Sequence, residues 1–237
     1  GGAKCGVSYR AACAAGKVQT RNRRVRGRGT GRAAEVQRDS EYIVLGLGGH
    51  GSGAAYWLSR RAGAEVLGLE QFELGHVRGE SQDHSRIIRL SYHNTAYVEL
   101  AKLAYNAWDT LERESGDKVV LKTGGLDFAR HDTKIPLDAY RSAMSACNVE
   151  YEDLDADEIM KRWPQFTLSD DIEGLFQEQS GIAMAARANA AHQTMAPANG
   201  ATPLHHTPDT DLPTSGGHAT AHTASRHPPR ENPAIHP

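Results

Sequence analysis

Tyr42-Ile43-Val44-Leu45-Gly46-Leu47-Gly48-Gly49-His50-Gly51 is the stretch that decides the fold. A short apolar run bounded by glycine reads as a buried parallel strand. Gly46, Gly48 and Gly51 then follow the G-x-G-x-x-G spacing, with Gly49 inside the loop. In that spacing the first glycine permits a tight turn and the second lets backbone N–H groups approach a pyrophosphate. The third allows close packing of helix on strand. Gly53 to Ala62 reads as the following helix, with Ala54, Ala55, Leu58 and Ala62 able to face one side. Its N-terminus offers partial positive charge to phosphates.

Glu65-Val66-Leu67-Gly68-Leu69 predicts a second strand, completing a βαβ unit. That strand ends in Glu70, 24 residues after Gly46. An acid there can accept hydrogen bonds from adenosine ribose hydroxyls and disfavours a 2′-phosphate. A second register, Gly49-His50-Gly51-Ser52-Gly53-Ala54, also fits the relaxed pattern, but it begins three residues beyond the strand. The fold class expected is α/β: a Rossmann-like βαβ domain for a dinucleotide. A nicotinamide enzyme usually continues in further short βα units. Here a long polar segment, Gly75 to His84, follows instead, which favours FAD.

Further along, Tyr97 to Glu114 predicts a helix, with Val98, Leu100, Ala101, Leu103, Ala104, Trp108 and Leu111 at three- and four-residue spacing. Gly124 to Ala129 predicts a strand, Ile135 to Cys147 a helix, and Tyr151 to Leu154 a strand. Asp157 to Arg162 predicts a short helix stopped by Trp163-Pro164. Gly174 to Phe176 adds a strand and Met184 to Asn199 an Ala-rich helix.

The composition is that of a globular chain: 39% hydrophobic, 24% charged, with formal net charge -2. So small a charge gives no general reason for a nucleic-acid or membrane partner, and no apolar run is long enough to span a bilayer. Three parts differ sharply, however. Residues 1–40 hold ten Lys or Arg against two acids. They can be a transit peptide, a nucleic-acid arm built on Arg21, Arg23, Arg24, Arg26 and Arg28, or a disordered basic extension; the composition favours the last. Residues 203–237 hold seven of the ten prolines and six of the twelve histidines. With few large apolar groups to anchor a metal site, a disordered Pro/His-rich tail fits better than metal binding, and no metal is expected. The folded part is residues 41–202. Cys5, Cys13 and Cys147 fit neither a disulfide framework nor a metal knuckle, which favours a reducing, cytoplasmic compartment.

Several separated motifs resemble the family of monomeric sarcosine oxidase, N-methyltryptophan oxidase and the peroxisomal pipecolate/sarcosine oxidase. They are Leu69-Glu70-Gln71-Phe72, Gly79 to His84, Ser85-Arg86-Ile87-Ile88-Arg89-Leu90-Ser91-Tyr92, Lys122-Thr123-Gly124-Gly125-Leu126, Lys161-Arg162-Trp163-Pro164 and Gln179-Ser180-Gly181-Ile182. The resemblance implies an incomplete FAD-binding domain joined to part of an α+β substrate domain. It also implies oxidation of the C–N bond of a secondary or N-methyl amino acid, a small-molecule substrate. Gly46, Gly48, Gly49, Gly51, Glu70, Gln71, Ser85 and Arg86 would hold the cofactor, with Arg86 beside the flavin ring. Arg89 would bind the substrate carboxylate, a role suited to a guanidinium fork.

Where sarcosine oxidases carry paired histidines, this chain has Ser81 and Gln82, with His84 nearer the arginines. None of the three cysteines matches the flavin-linking position. The family continues for about as long again past residue 202, so a truncated form is expected. Two other readings stay open at this point: a non-catalytic nucleotide-binding fragment and an NAD-dependent Rossmann dehydrogenase.

Overall fold

The computed structural model describes residues 40–81, 83–134, 136–211, 214–215, 218–219 and 222–223. The basic N-terminal segment, Cys5, Cys13 and the end of the tail with His227 and His236 lie outside these residues. In chain order the elements are β1 (Tyr42–Leu45), α1 (Gly49–Ala62), β2 (Val66–Leu69), β3 (Arg86–Ile88) and α2 (Thr95–Ser115). Then follow β4 (Val120–Lys122), β5 (Gly125–Arg130), α3 (Leu137–Ala146), β6 (Glu152–Asp155), α4 (Ala156–Arg162), β7 (Ile172–Gln177) and β8 (Gly181–Ala183). Last come α5 (Ala185–Ala198), β9 (Thr202–Leu204), β10 (Asp209–Asp211), β11 (Thr214–Ser215), β12 (His218–Ala219) and β13 (His222–Thr223). The four final strands pair as two short antiparallel couples, β10 with β13 and β11 with β12.

The chain divides into two compact units. The first takes the chain up to Gln82 and from Asn189 onward; the second is Asp83–Ala188. In the first unit β1, β2 and β9 form a parallel sheet in that order. Ile43, Leu67 and Leu69 are its buried apolar cluster. Each fully buried branched side chain of this kind contributes about 1.5–3 kcal/mol. Counted as parallel strands the order is third, second, first, half of a dinucleotide-binding sheet. The second unit is therefore an insertion between the second strand and its following crossover, and α5 is that crossover helix.

The expected end of the folded region at residue 202 falls inside β9. Leu67, Gly68 and Leu69 stand opposite Thr202, Pro203 and Leu204, and the contact continues as Glu70 N–H donates to Leu204 O and Thr207 N–H to Glu70 O. Because Leu204 directs its carbonyl to β2, Pro203 turns its missing donor to the other side, where a strand tolerates proline.

α1 also departs from expectation. It begins at Gly49, four residues before the predicted start, and it buries Ser52, Ala55, Tyr56 and Ser59. Ala54, Leu58 and Ala62 are only half-buried. The serines stay satisfied in this face, since the Ser59 hydroxyl donates to Tyr56 O at 2.8 Å and that of Ser52 to Asn189 Oδ1 at 2.7 Å.

In the second unit β3, β8 and β4 make one antiparallel sheet, and β5, β7 and β6 make another. The three-residue strands β3, β4 and β8 had no sequence prediction. α2 is capped by the Asn94 side chain, which accepts from Ala96 N–H, and ends at left-handed Gly116. It buries Val98, Tyr105 and Leu111 but leaves Leu100 and Leu103 exposed; the helix carries more apolar residues than one face can cover. Arg141 of α3 ties that helix to the second sheet by pairing with Asp153 at 2.5 Å and Glu173 at 2.8 Å, besides Asp138 on its own helix. No helix among the described residues is long and apolar enough to cross a membrane.

His192 of α5 is buried against Tyr56, with ring centroids 5.4 Å apart. Burial pushes its imidazole down from the ordinary 6.5 to about 4. Between those values the unfolded chain binds a proton that the folded chain refuses, so stability falls as pH drops through this window and levels off below it. We expect a loss of at most about 3 kcal/mol. Urea unfolding at about pH 7 and about pH 4.5 should show it. In His192→Gln the difference between the two curves should shrink; an unchanged difference would assign the acid sensitivity elsewhere.

Candidate cofactor site and the arginine cluster

The turn that ends β1 is built from three different demands on glycine. Gly46 has φ +79, a left-handed conformation that costs an L side chain about 1–2 kcal/mol. A Cβ on Gly48 would meet no protein atom within 4 Å, so its backbone stands open to a close-approaching ligand. A Cβ on Gly51 would lie 1.7 Å from the Gly46 carbonyl oxygen, so only a hydrogen lets α1 pass so near the strand end.

The loop is fixed from three sides. Gly46 N–H donates to Leu69 O at 2.7 Å, joining it to the end of β2. Leu47 N–H donates to Glu70 Oε2 at 2.8 Å, and Leu47 O accepts from the Gln193 side chain of α5 at 2.7 Å. Ser81 caps the start of α1, its hydroxyl accepting from Gly49 N–H at 3.2 Å. The N-cap Gly48 has no capping side chain, and α1 has no acid in its first turn. Its positive end is therefore not neutralised by a carboxylate from its own first turn, the condition for receiving an anion.

Glu70 is buried, and its two oxygens are already in use. Besides Leu47 N–H, it accepts Phe72 N–H at 3.0 Å on Oε1, which also lies 3.3 Å from His76 Nε2. A carboxylate has about four acceptor positions, so ribose hydroxyls compete with or add to these partners. Gln71 beside it is exposed. Open backbone at Gly48, an acid-free helix end and an acid at the close of β2 together fit the diphosphate and ribose of FAD.

The remaining predicted residues belong to the second unit. Ser85 and Arg86 are exposed. Arg86 Nη1 donates to Ser85 O at 2.7 Å and lies 3.3 Å from Asp83 Oδ2. The Asp83 carboxyl is held below its usual range, first by the His84 backbone N–H. His84 itself is exposed, and its carbonyl accepts from Ala185 N–H. Arg89 follows β3 and is less exposed; its Nη1 donates to Asp127 Oδ1 at 2.5 Å, and its Cζ sits 5.2 Å from the Tyr92 ring centroid. Asp127 also accepts from the Ser91 hydroxyl. Beyond Tyr92, burial and the Tyr92 phenol push the Tyr105 hydroxyl up to about 12. Sequence reasoning missed Ser81, Gln193 and Asp127. Their partners are 32, 146 and 38 residues away, beyond the reach of any local pattern.

Residues 41–231 match the family model described as FAD dependent oxidoreductase. The chain is 40% identical over 162 residues to the monomeric sarcosine oxidase of Streptomyces avermitilis, covering 68% of this chain and 42% of that protein. It is 31% identical over 144 residues to the N-methyl-L-tryptophan oxidase of Yersinia pestis, covering 60% of this chain and 38% of that protein. Among solved structures it is similar to the Tyr258Phe mutant of NikD, an amino acid oxidase, with TM-score 0.67 and 25% identity. That match covers 75% of this chain and 48% of NikD. The chain thus spans less than half the length of these relatives.

Two glycine variants should separate cradle from scaffold. Gly48→Ala has room for its Cβ within the protein and is expected to stay folded while weakening FAD binding by about 10- to 100-fold, the cost of one charge-assisted hydrogen bond. Gly51→Ala collides with backbone and is expected to lose about 3 kcal/mol or more of stability. Circular dichroism melting and FAD fluorescence titration read the two effects separately.

Proposed function

The chain belongs to the FAD dependent oxidoreductase family, and on that premise we propose that it serves an oxidase acting on the C–N bond of a small secondary or N-methyl amino acid. The loop carries this reading: Gly46, Gly48 and Gly51 each meet a different need of a diphosphate cradle. The substrate class rests on the similarity to monomeric sarcosine oxidase and N-methyl-L-tryptophan oxidase.

In this reading Gly46, Gly48, Gly49 and Gly51 hold the diphosphate with backbone N–H groups and the positive end of α1. Glu70 and Gln71 take the adenosine ribose, while Ser85 and Arg86 serve the flavin end. FAD, when bound, supplies acceptance of two electrons from the carbon–nitrogen bond. Arg89 anchors the substrate carboxylate, and anchoring orients the amine that must react. We place the main folded part at about residues 41–202, between the basic extension and the Pro/His-rich tail, although β9 carries the sheet past the second boundary and the family match runs on to residue 231. A cytoplasmic location agrees with Cys147, a free and buried thiol. A small amino acid, rather than nucleic acid or membrane, is the proposed partner.

Purified protein mixed with FAD should show the visible bands of bound flavin, and anaerobic sarcosine or pipecolate should bleach them. Arg89→Lys keeps the charge and loses the fork. It is expected to raise KM for the amino acid by about tenfold or more, with a smaller change in kcat. Bound flavin that no amino acid bleaches would confine the chain to cofactor binding. Colourless protein would overturn the cradle assignment itself.

A further inference from the structure

Asp127 is the third residue of β5, in register with Leu175 of β7. One of its carboxylate oxygens accepts from Arg89 Nη1 and the other from the Ser91 hydroxyl. Arg89 is thus held at one nitrogen by a carboxylate and beside the ring of Tyr92. The two side chains of the ion pair are 31% and 23% exposed, so the pair is confined while still within reach of solvent. A guanidinium presents two flat edges to a carboxylate, one made by its two terminal nitrogens and one by Nε and Nη2. With Nη1 engaged by Asp127, the edge formed by Nε and Nη2 is the one left to grip a ligand.

We propose that Asp127 is a positioning residue for amino-acid binding: it holds the Arg89 guanidinium so that the free edge meets the substrate carboxylate, and Ser91 in turn holds Asp127. The inference rests on the reading of Arg89 as carboxylate anchor. Two effects of Asp127 oppose each other. Its charge lessens the attraction of Arg89 for a second carboxylate, whereas its grip removes the rotamer freedom that a long arginine otherwise loses on binding. Immobilising the fork beforehand lowers the cost of association. The pair is partly solvated, which screens the charge effect, so positioning prevails. Asp127 touches neither substrate nor cofactor in this role.

Acetate, a monocarboxylate probe, tests the idea on the full chain by NMR titration, with the Arg89 Nε–H signal as a direct report of side-chain order. Asp127→Ala is expected to broaden that signal and weaken acetate binding about tenfold. Asp127→Asn keeps an acceptor oxygen in place and should restore affinity to within about threefold of wild type, while Ser91→Ala should weaken it about threefold. Backbone amide shifts away from the cluster check that each variant is folded, and if Asp127→Ala is not, Ser91→Ala decides. Acetate binding as tight in Asp127→Ala or Ser91→Ala as in wild type would overturn the positioning role and make Asp127 a mere competitor. Arg89→Ala separates the underlying reading. If it binds acetate like wild type, Arg89 is no anchor and the assignment under the proposed function fails. If it loses acetate while the Asp127 variants do not, only the positioning role fails.

Discussion

A buried carboxylate meeting a backbone amide sets the geometry of the first unit. Leu47 N–H donates to Glu70, so the residue after the β1 turn is tied to the residue after β2. Glu70 is only 5% exposed, and a carboxylate so placed must be hydrogen-bonded or lose several kcal/mol in desolvation, roughly speaking. Leu47, Phe72 and His76 provide those bonds. The same arrangement fixes Leu47, whose side chain lies over Gly68; a Cβ at Gly68 would stand 2.8 Å from it. Glu70 thus holds the loop in shape with the same oxygens that the proposed ribose contact would need.

What the chain's order of residues made legible follows from how local each demand is. A glycine turn between two apolar strands is local, so β1, β2, the tight turn at Gly46 and the close helix–strand approach at Gly51 could be read directly. The start of α1 could not. Gly49, His50, Gly51 and Ser52 have weak helix preference, yet they are helical because Ser81, Gln193 and Asn189 grip this turn from distant positions. The buried stripe of α1 was misjudged for a related reason: two of its four members are serines whose partners cannot be seen in a hydropathy pattern. β9 was hidden by proline and by the polar composition that begins near it. Strands as short as β3, β4 and β8 lie below the length at which a period of two shows itself.

The arginines show a further limit of reading by motif. The spacing of Arg86 and Arg89 names candidates but says nothing of their neighbours. Arg86 folds back on Ser85 and Asp83, within three residues, whereas Arg89 is gripped by an acid 38 positions later. Two cations of one motif therefore have different surroundings, and the partner of Arg89 resides in β5, a strand recognised only as a strand. Arg141 shows the same principle in a purely structural setting, where one guanidinium joins α3 to β6 and β7.

The insertion has a consequence for how the chain acquires its structure. β2 and β9 are neighbours in the sheet although the whole second unit lies between them in sequence. Closing so long a loop is entropically unfavourable and slow. Within the second unit, however, the two ends of the insertion are already joined: Ala185 N–H donates to His84 O and Ala186 N–H to Asp83 O, each at 3.2 Å. Once this unit has folded, its two ends lie together, and the span left to close shrinks to residues 70–82 on one side and 187–201 on the other. During synthesis from the ribosome the inserted unit, which ends in the first turn of α5, is also complete before the rest of α5 and β9 emerge, so vectorial folding favours the same order. The cofactor loop, anchored by Gln193 of α5, is then among the last parts to be locked.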